Sequence, residues 1–119
     1  MTVAVTACVR YIYAMQKSAL TRQEALDRIE ACAEEVRALG VKRLALFGSV
    51  RHDRARPDSD VDLLVQFEPG AKTFDRFLTL ADLLESRLGH RVELVTVEAL
   101  SPCLGPRILA DAEDVLRAA

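Results

Sequence analysis

The chain has 119 residues, enough for one domain and too few for two. Half of them are hydrophobic, which excludes a disordered tail as the main reading. Sixteen basic against eighteen acidic residues leave a net charge of −2, so there is no basic footprint for a nucleic-acid backbone, and no direct nucleic-acid partner is expected.

Residues 1–20 carry the weakest pattern. Val3, Val5 and Ala7 alternate with Thr2, Ala4 and Thr6, a faint strand signal. Arg10 interrupts this mildly apolar stretch and no charged segment precedes it, which argues against a signal peptide. Apolar runs elsewhere fall far short of the ~20 residues of a membrane span, so no membrane partner is expected. These observations assign 1–20 to an N-terminal extension, with Met15 as a candidate start, and 21–119 to the functional domain.

Thr21-Arg22-Gln23-Glu24 reads as a capping box. Leu26, Ile29, Ala33 and Val36 follow at helical spacing, and Gly40 stops the helix. Val41 to Phe47 is strand-like and apolar enough for burial on both faces. Gly48 to Asp58 is a polar, Arg-rich loop with room for a short helical turn. Val61 to Phe67 is a second buried strand, ended by Glu68-Pro69-Gly70. Phe74, Phe77, Leu78, Ala81, Leu84 and Leu88 predict an amphipathic helix stopped at Gly89. Arg91 to Val97 is a third strand, with Glu93 on the face opposite Val92 and Leu94. A last helix is expected from about Pro106, carrying Ile108, Leu109, Val115 and Leu116. The predicted fold is α+β, a small mixed β-sheet covered by helices. Cys8, Cys32 and Cys103 are odd in number, widely spaced and without a CxxC pair. They imply no disulfide framework, and a reducing cytoplasm is the expected location.

The chemistry concentrates between two of these strands. Asp60 and Asp62 are i and i+2 at a strand start, so both side chains leave one face, with Cα atoms about 6.5–7 Å apart. At an effective dielectric of ~20 two such charges repel by roughly 2–2.5 kcal/mol, and Asp58 adds a third charge nearby. A divalent cation, Mg²⁺ by its taste for hard oxygen ligands, would offset that repulsion. Gly48-Ser49 ends the preceding strand, where glycine lets a backbone approach closely and a hydroxyl and amides can meet phosphate oxygens. Glu93 offers a third carboxylate if its strand neighbours that of Asp62. Separately, Asp-x-Asp is more often a solvated strand end and Gly-Ser more often a turn. Their order along the chain is far more specific, and it fits metal-assisted phosphoryl or nucleotidyl transfer.

Leu46-Phe47-Gly48-Ser49 through Ser59-Asp60-Val61-Asp62-Leu63-Leu64-Val65 resembles the signature of the polymerase-beta-like nucleotidyltransferase superfamily. The match is closer to its minimal nucleotidyltransferases (MNT proteins), and runs from about Thr21 to the C-terminus. It includes Phe67-Glu68-Pro69-Gly70, the strand from Arg91 and Leu100-Ser101-Pro102. The resemblance implies a polymerase-beta-like fold and an antitoxin enzyme that moves AMP from ATP to a tyrosine of a partner HEPN toxin. Gly48 and Ser49 would hold the triphosphate, Asp60 and Asp62 would bind one or two Mg²⁺ ions, and Glu93 would serve as metal ligand or general base. Glu93 stands where the family usually has Asp. Arg51, Arg54 and Arg56 would place positive charge near the triphosphate, or are solvated loop charges; Arg51 and Arg56 are the expected nucleotide contacts. His52 is expected to be an exposed loop residue and His90 a surface turn residue. Two other functions remain open: a non-catalytic antitoxin that neutralises by contact, and a transferase acting on a small molecule such as an aminoglycoside. No acceptor-binding region is recognisable in so short a chain, which favours an acceptor supplied by another protein.

Overall fold

In a computed structural model, residues 19–103 and 105–117 are described. The expected extension at 1–20, with its faint strand, its cysteine and Met15, lies almost wholly outside them. The first element, α1 (Arg22–Ala31), opens with the capping box the sequence announces. Thr21 Oγ1 accepts the Glu24 amide at 3.1 Å, and Glu24 Oε1 accepts the Thr21 amide at 3.0 Å. The helix breaks at Cys32, which leaves helical geometry (φ −112°, ψ 21°) and bonds to Ile29 O instead, and α2 (Ala33–Ala38) resumes the run. One long helix to Gly40 was the simpler expectation. The interruption keeps Cys32 buried with its thiol against Ile29 O, 3.4 Å away.

Strand β1 (Val41–Phe47) feeds directly into a single-turn helix, α3 (Gly48–Arg51), and β2 (Val61–Phe67) returns antiparallel to β1. Helix α4 (Phe74–Leu88) then crosses to β3 (Val92–Thr96), which runs parallel to β2. Helix α5 (Gly105–Asp111) leads to β4 (Glu113–Arg117), antiparallel to β1. The resulting sheet has the order β3-β2-β1-β4.

This corrects the expected C-terminus. Val115 and Leu116 are not helical: the last helix ends at Asp111 and the chain becomes a strand. Leu116 faces the core at 7% exposure, and the strand supplies hydrogen-bond partners along the flank of β1 that would otherwise be an open edge. Leu109, carried by that last helix, is exposed.

Alternation along the strands separates two faces. Leu44 and Leu46 of β1 and Val61, Leu63 and Val65 of β2 point into one core with Ile29, Val36, Leu80, Leu84 and Leu88 of the helices. The face of α4 that packs is therefore Leu80-Leu84-Leu88. Phe74 and Leu78, counted as apolar-face residues by periodicity, stand exposed at 75% and 45%. His90 departs from expectation in the other direction. It is buried rather than on the surface, because the left-handed Gly89 (φ 70°) turns the chain straight back toward β3. No helix among the described residues is long and apolar enough to cross a membrane.

Truncating the packed face of α4 should be costly and truncating its exposed end nearly free. Leu84→Ala is expected to lose about 2–5 kcal/mol of stability in urea unfolding, and Phe74→Ala about 0.5 kcal/mol or less. Equal losses from the two variants would contradict the assigned face.

Candidate active site

The second face of the sheet carries the carboxylates. Opposite the core-facing Leu46 and Leu63, Phe47 pairs in register with Asp62, and Asp62 with Glu93 across the parallel β2–β3 ladder. Register partners present their side chains on the same side, so the alternation that buries Val61 and Leu63 also turns Asp62 toward Glu93. Asp60 sits one residue before β2 and flanks them. Its other neighbour is Arg91, 4.0 Å away, with the guanidinium side chain 80% exposed and so heavily screened.

Asp62 is the constrained member of the set. Burial, then the charges of Glu93 and Asp60, push its carboxyl up to about 6. Gly48 explains how closely the loop meets it. Gly48 takes a left-handed conformation (φ +79°), and a Cβ at that position would lie 2.2 Å from Asp62 Oδ2. The Gly-Ser pair and the Asp-x-Asp pair, separate in sequence, are thus in contact in space.

Among the described residues, no three His, Cys, Asp or Glu side chains are arranged as a ready-made cation cage. The donor set nevertheless fits Mg²⁺. That ion typically takes one or two carboxylates and completes its shell with water and substrate phosphate. An all-oxygen cluster in which one member is raised by its neighbours' charge is relieved by such an ion. Asp60, Asp62 and Glu93 are the residues that would hold it.

The loop that leaves Gly48 is fastened from behind. Ser49 O accepts the amides of His52 (3.2 Å) and Arg54 (2.8 Å), closing a tight turn in which Asp53 adopts a positive φ of 54°. The Arg22 amide at the start of α1 donates to Asp53 Oδ1 at 2.7 Å. Arg51, expected at the triphosphate, is instead engaged with the C-terminal segment. Its Nε donates to Asp111 O at 3.1 Å and lies 3.8 Å from Glu113 Oε1. Glu113 also receives two bonds from the Arg22 guanidinium, which holds its carboxyl below the ordinary range. His52 Nε2 meets Asp111 Oδ1 at 2.5 Å. Arg54 and Arg56 are exposed, and the Arg56 amide donates to Ser59 Oγ at 2.8 Å.

Asp111 and Glu113 had no place in the sequence reading. Only the topology, which lays α5 and β4 beside the loop some sixty residues earlier in the chain, brings them there. A groove of about 570 Å³ lies elsewhere, along β4, lined by Glu30, Ala33, Arg37, Asp114, Val115 and Leu116.

Residues 29–115 match the family model described as a nucleotidyltransferase domain, and the protein is a nucleotidyltransferase. The protein adenylyltransferase MntA of Thermococcus cleftensis is 36% identical over 93 residues, covering 77% of this chain and 93% of that one. A solved structure of a candidate minimal nucleotidyltransferase superposes with a TM-score of 0.71 at 37% identity, covering 82% of this chain and 98% of that one. The chain therefore belongs to the nucleotidyltransferase domain family and, within it, to the minimal nucleotidyltransferases. At the level of fold alone, it also resembles a Shewanella oneidensis complex of a tri-AMPylated HEPN toxin with its MNT antitoxin. That match has a TM-score of 0.59 at 19% identity, covering 82% of this chain and 74% of that one.

The raised carboxyl has a consequence for stability. An unfolded Asp titrates near 3.9, so between about pH 4 and 6 the folded chain binds more protons at Asp62 than the unfolded chain does. Stability falls as pH rises through that window, and the whole penalty is present above it. Asp62→Asn should therefore raise the cation-free melting temperature at pH 8 by a few degrees, on the order of 1 kcal/mol, and leave it unchanged at pH 4. Thermal scans showing the variant less stable at pH 8 would contradict the burial and repulsion assigned to Asp62.

Proposed function

We propose that the chain is a Mg²⁺-dependent protein adenylyltransferase. In this reading it moves AMP from ATP onto a tyrosine hydroxyl of a HEPN toxin and thereby acts as its antitoxin. The observation that carries the reading is the meeting of Gly48 and Asp62, which sets a phosphate-binding turn against a carboxylate already crowded by Glu93 and Asp60. The activity named for the Thermococcus relative and the HEPN partner in the Shewanella complex supply the reaction and the acceptor.

Gly48 and Ser49 would receive the β- and γ-phosphates, the glycine by allowing close backbone approach and the serine through its hydroxyl. Asp60 and Asp62 would hold Mg²⁺ against the triphosphate, with Glu93 completing the cluster. Bound there, the ion would neutralise charge on the attacking and leaving oxygens. Glu93, more exposed than Asp62, would accept the proton of the incoming tyrosine hydroxyl. The tyrosine oxygen forms a bond to the α-phosphorus, the bond to the bridging oxygen of pyrophosphate breaks, and pyrophosphate departs. Arg54 and Arg56 add positive charge at the loop's open side. Both reactive ends of ATP are thus assigned, and the acceptor comes from the partner.

The test is incubation of the chain with α-labelled ATP, Mg²⁺ and a HEPN partner. Label on a partner tyrosine is expected from the native chain. Asp60→Asn and Asp62→Asn should lower transfer by roughly a thousandfold or more while retaining the fold by circular dichroism. Tight association without label would support neutralisation by contact, and full transfer by a chain carrying both substitutions would refute the site.

A further inference from the structure

Among the described residues β3 ends the sheet, and its pairing shows which main-chain groups stay outside the ladder. Val61 stands in register with Val92, and its amide donates to Arg91 O at 2.8 Å. A residue in a parallel ladder bonds to the two residues flanking its partner, so Arg91, Glu93 and Val95 turn their main-chain groups toward β2. Val92, Leu94 and Thr96 turn theirs to the outer edge. Both ends of that edge are closed. The Val92 amide donates to Glu85 Oε2 of α4 at 3.1 Å, and Thr96 is buried. Half-buried Leu94 lies between them, with an amide and a carbonyl that no described strand meets. The same alternation keeps Arg91, Glu93 and Val95 on the carboxylate face, where the exposed Arg91 reaches toward Asp60. An edge this short, blunted at one end by a carboxylate, is poor for joining two sheets and suited to one extended segment.

We infer that Leu94 is the main-chain docking point for the acceptor: an extended, tyrosine-bearing polypeptide segment exchanges two hydrogen bonds with its amide and carbonyl. This rests on the adenylyltransferase reading of the site and specifies how that site takes its acceptor. In an antiparallel pair, the more stable arrangement, the residue after the one opposite Leu94 stands opposite Glu93, Cα atoms about 4.5 Å apart. Its side chain shares the face of Glu93. A tyrosine there leans over Glu93 toward Asp62, which is in register one strand further in. The residue two before the tyrosine then faces Val95, and the residue two after it faces Arg91. The segment recognised therefore carries an apolar residue two places before the tyrosine and an acidic residue two places after it. Main-chain bonds give affinity, and these two side chains give specificity.

The experiment uses the native chain, so no variant has to fold. A HEPN partner that accepts label in the transfer assay is added with Mg²⁺ and a non-hydrolysable ATP analogue, and amide exchange is followed residue by residue by NMR. The Leu94 amide should exchange at least about tenfold more slowly in the complex, while the Val92 amide, already held by Glu85, stays unchanged. Two synthetic peptides with one central tyrosine give the second readout, with α-labelled ATP and Mg²⁺. One carries Leu two places before the tyrosine and Asp two places after it, and the other has these two residues interchanged. The first should take up label about tenfold faster, the combined worth of two cross-strand pairs made or lost. Unaltered exchange at Leu94 in the complex overturns the inference and leaves the adenylyltransferase reading intact. So does labelling of the second peptide equal to or above that of the first. A native chain that labels no tyrosine of any HEPN partner overturns both.

Discussion

Asp62 places a carboxylate where the sheet is already short of water and already negative. It sits in a strand whose neighbours Val61 and Leu63 are fully buried, beside Glu93 in register and Asp60 at the strand's start. The hydrophobic core fixes the strand, and the strand fixes the charge. Because β2 lies between β1 and β3, neither the glycine turn on one side nor Glu93 on the other can move away without breaking a ladder. Such local repulsion is tolerable in a folded chain when something else is bound in the working state.

Gly48 is the counterpart of that constraint. Its left-handed backbone and missing Cβ let the turn after β1 touch the Asp62 carboxylate. The turn is then held from outside by groups distant in sequence: the Arg22 amide on Asp53, Arg22 and Arg51 on Glu113, and His52 on Asp111. The two arginines and the histidine make a band of polar contacts behind the loop. Each pair is partly exposed and individually weak, and together they set the loop's position.

How much of this was legible in sequence follows from the range of each interaction. The capping box at Thr21–Glu24, the buried runs of β1 and β2 and the glycine stops are local, and they were readable. So was the carboxylate set, because Asp-x-Asp and a lone Glu in an apolar strand conflict with their own surroundings. Periodicity failed where burial depends on what lies above a face. Phe74 and Leu78 satisfy helical spacing yet are exposed, while Leu80 carries the packing. It failed again at the C-terminus. Val115 and Leu116 suit a helix or a strand, and only the open flank of β1 decides between them. That misreading also hid the contacts that Arg51 makes with Asp111 and Glu113.

Asp62, with Asp60 and Glu93, is proposed to form a divalent-cation site completed by nucleotide at Gly48–Ser49. Electron paramagnetic resonance of Mn²⁺ added with a non-hydrolysable ATP analogue tests it most directly. A protein-bound Mn²⁺ signal that requires the nucleotide and disappears in Asp62→Asn is expected. A bound signal of equal strength in Asp62→Asn, or none in the native chain with nucleotide present, would contradict it.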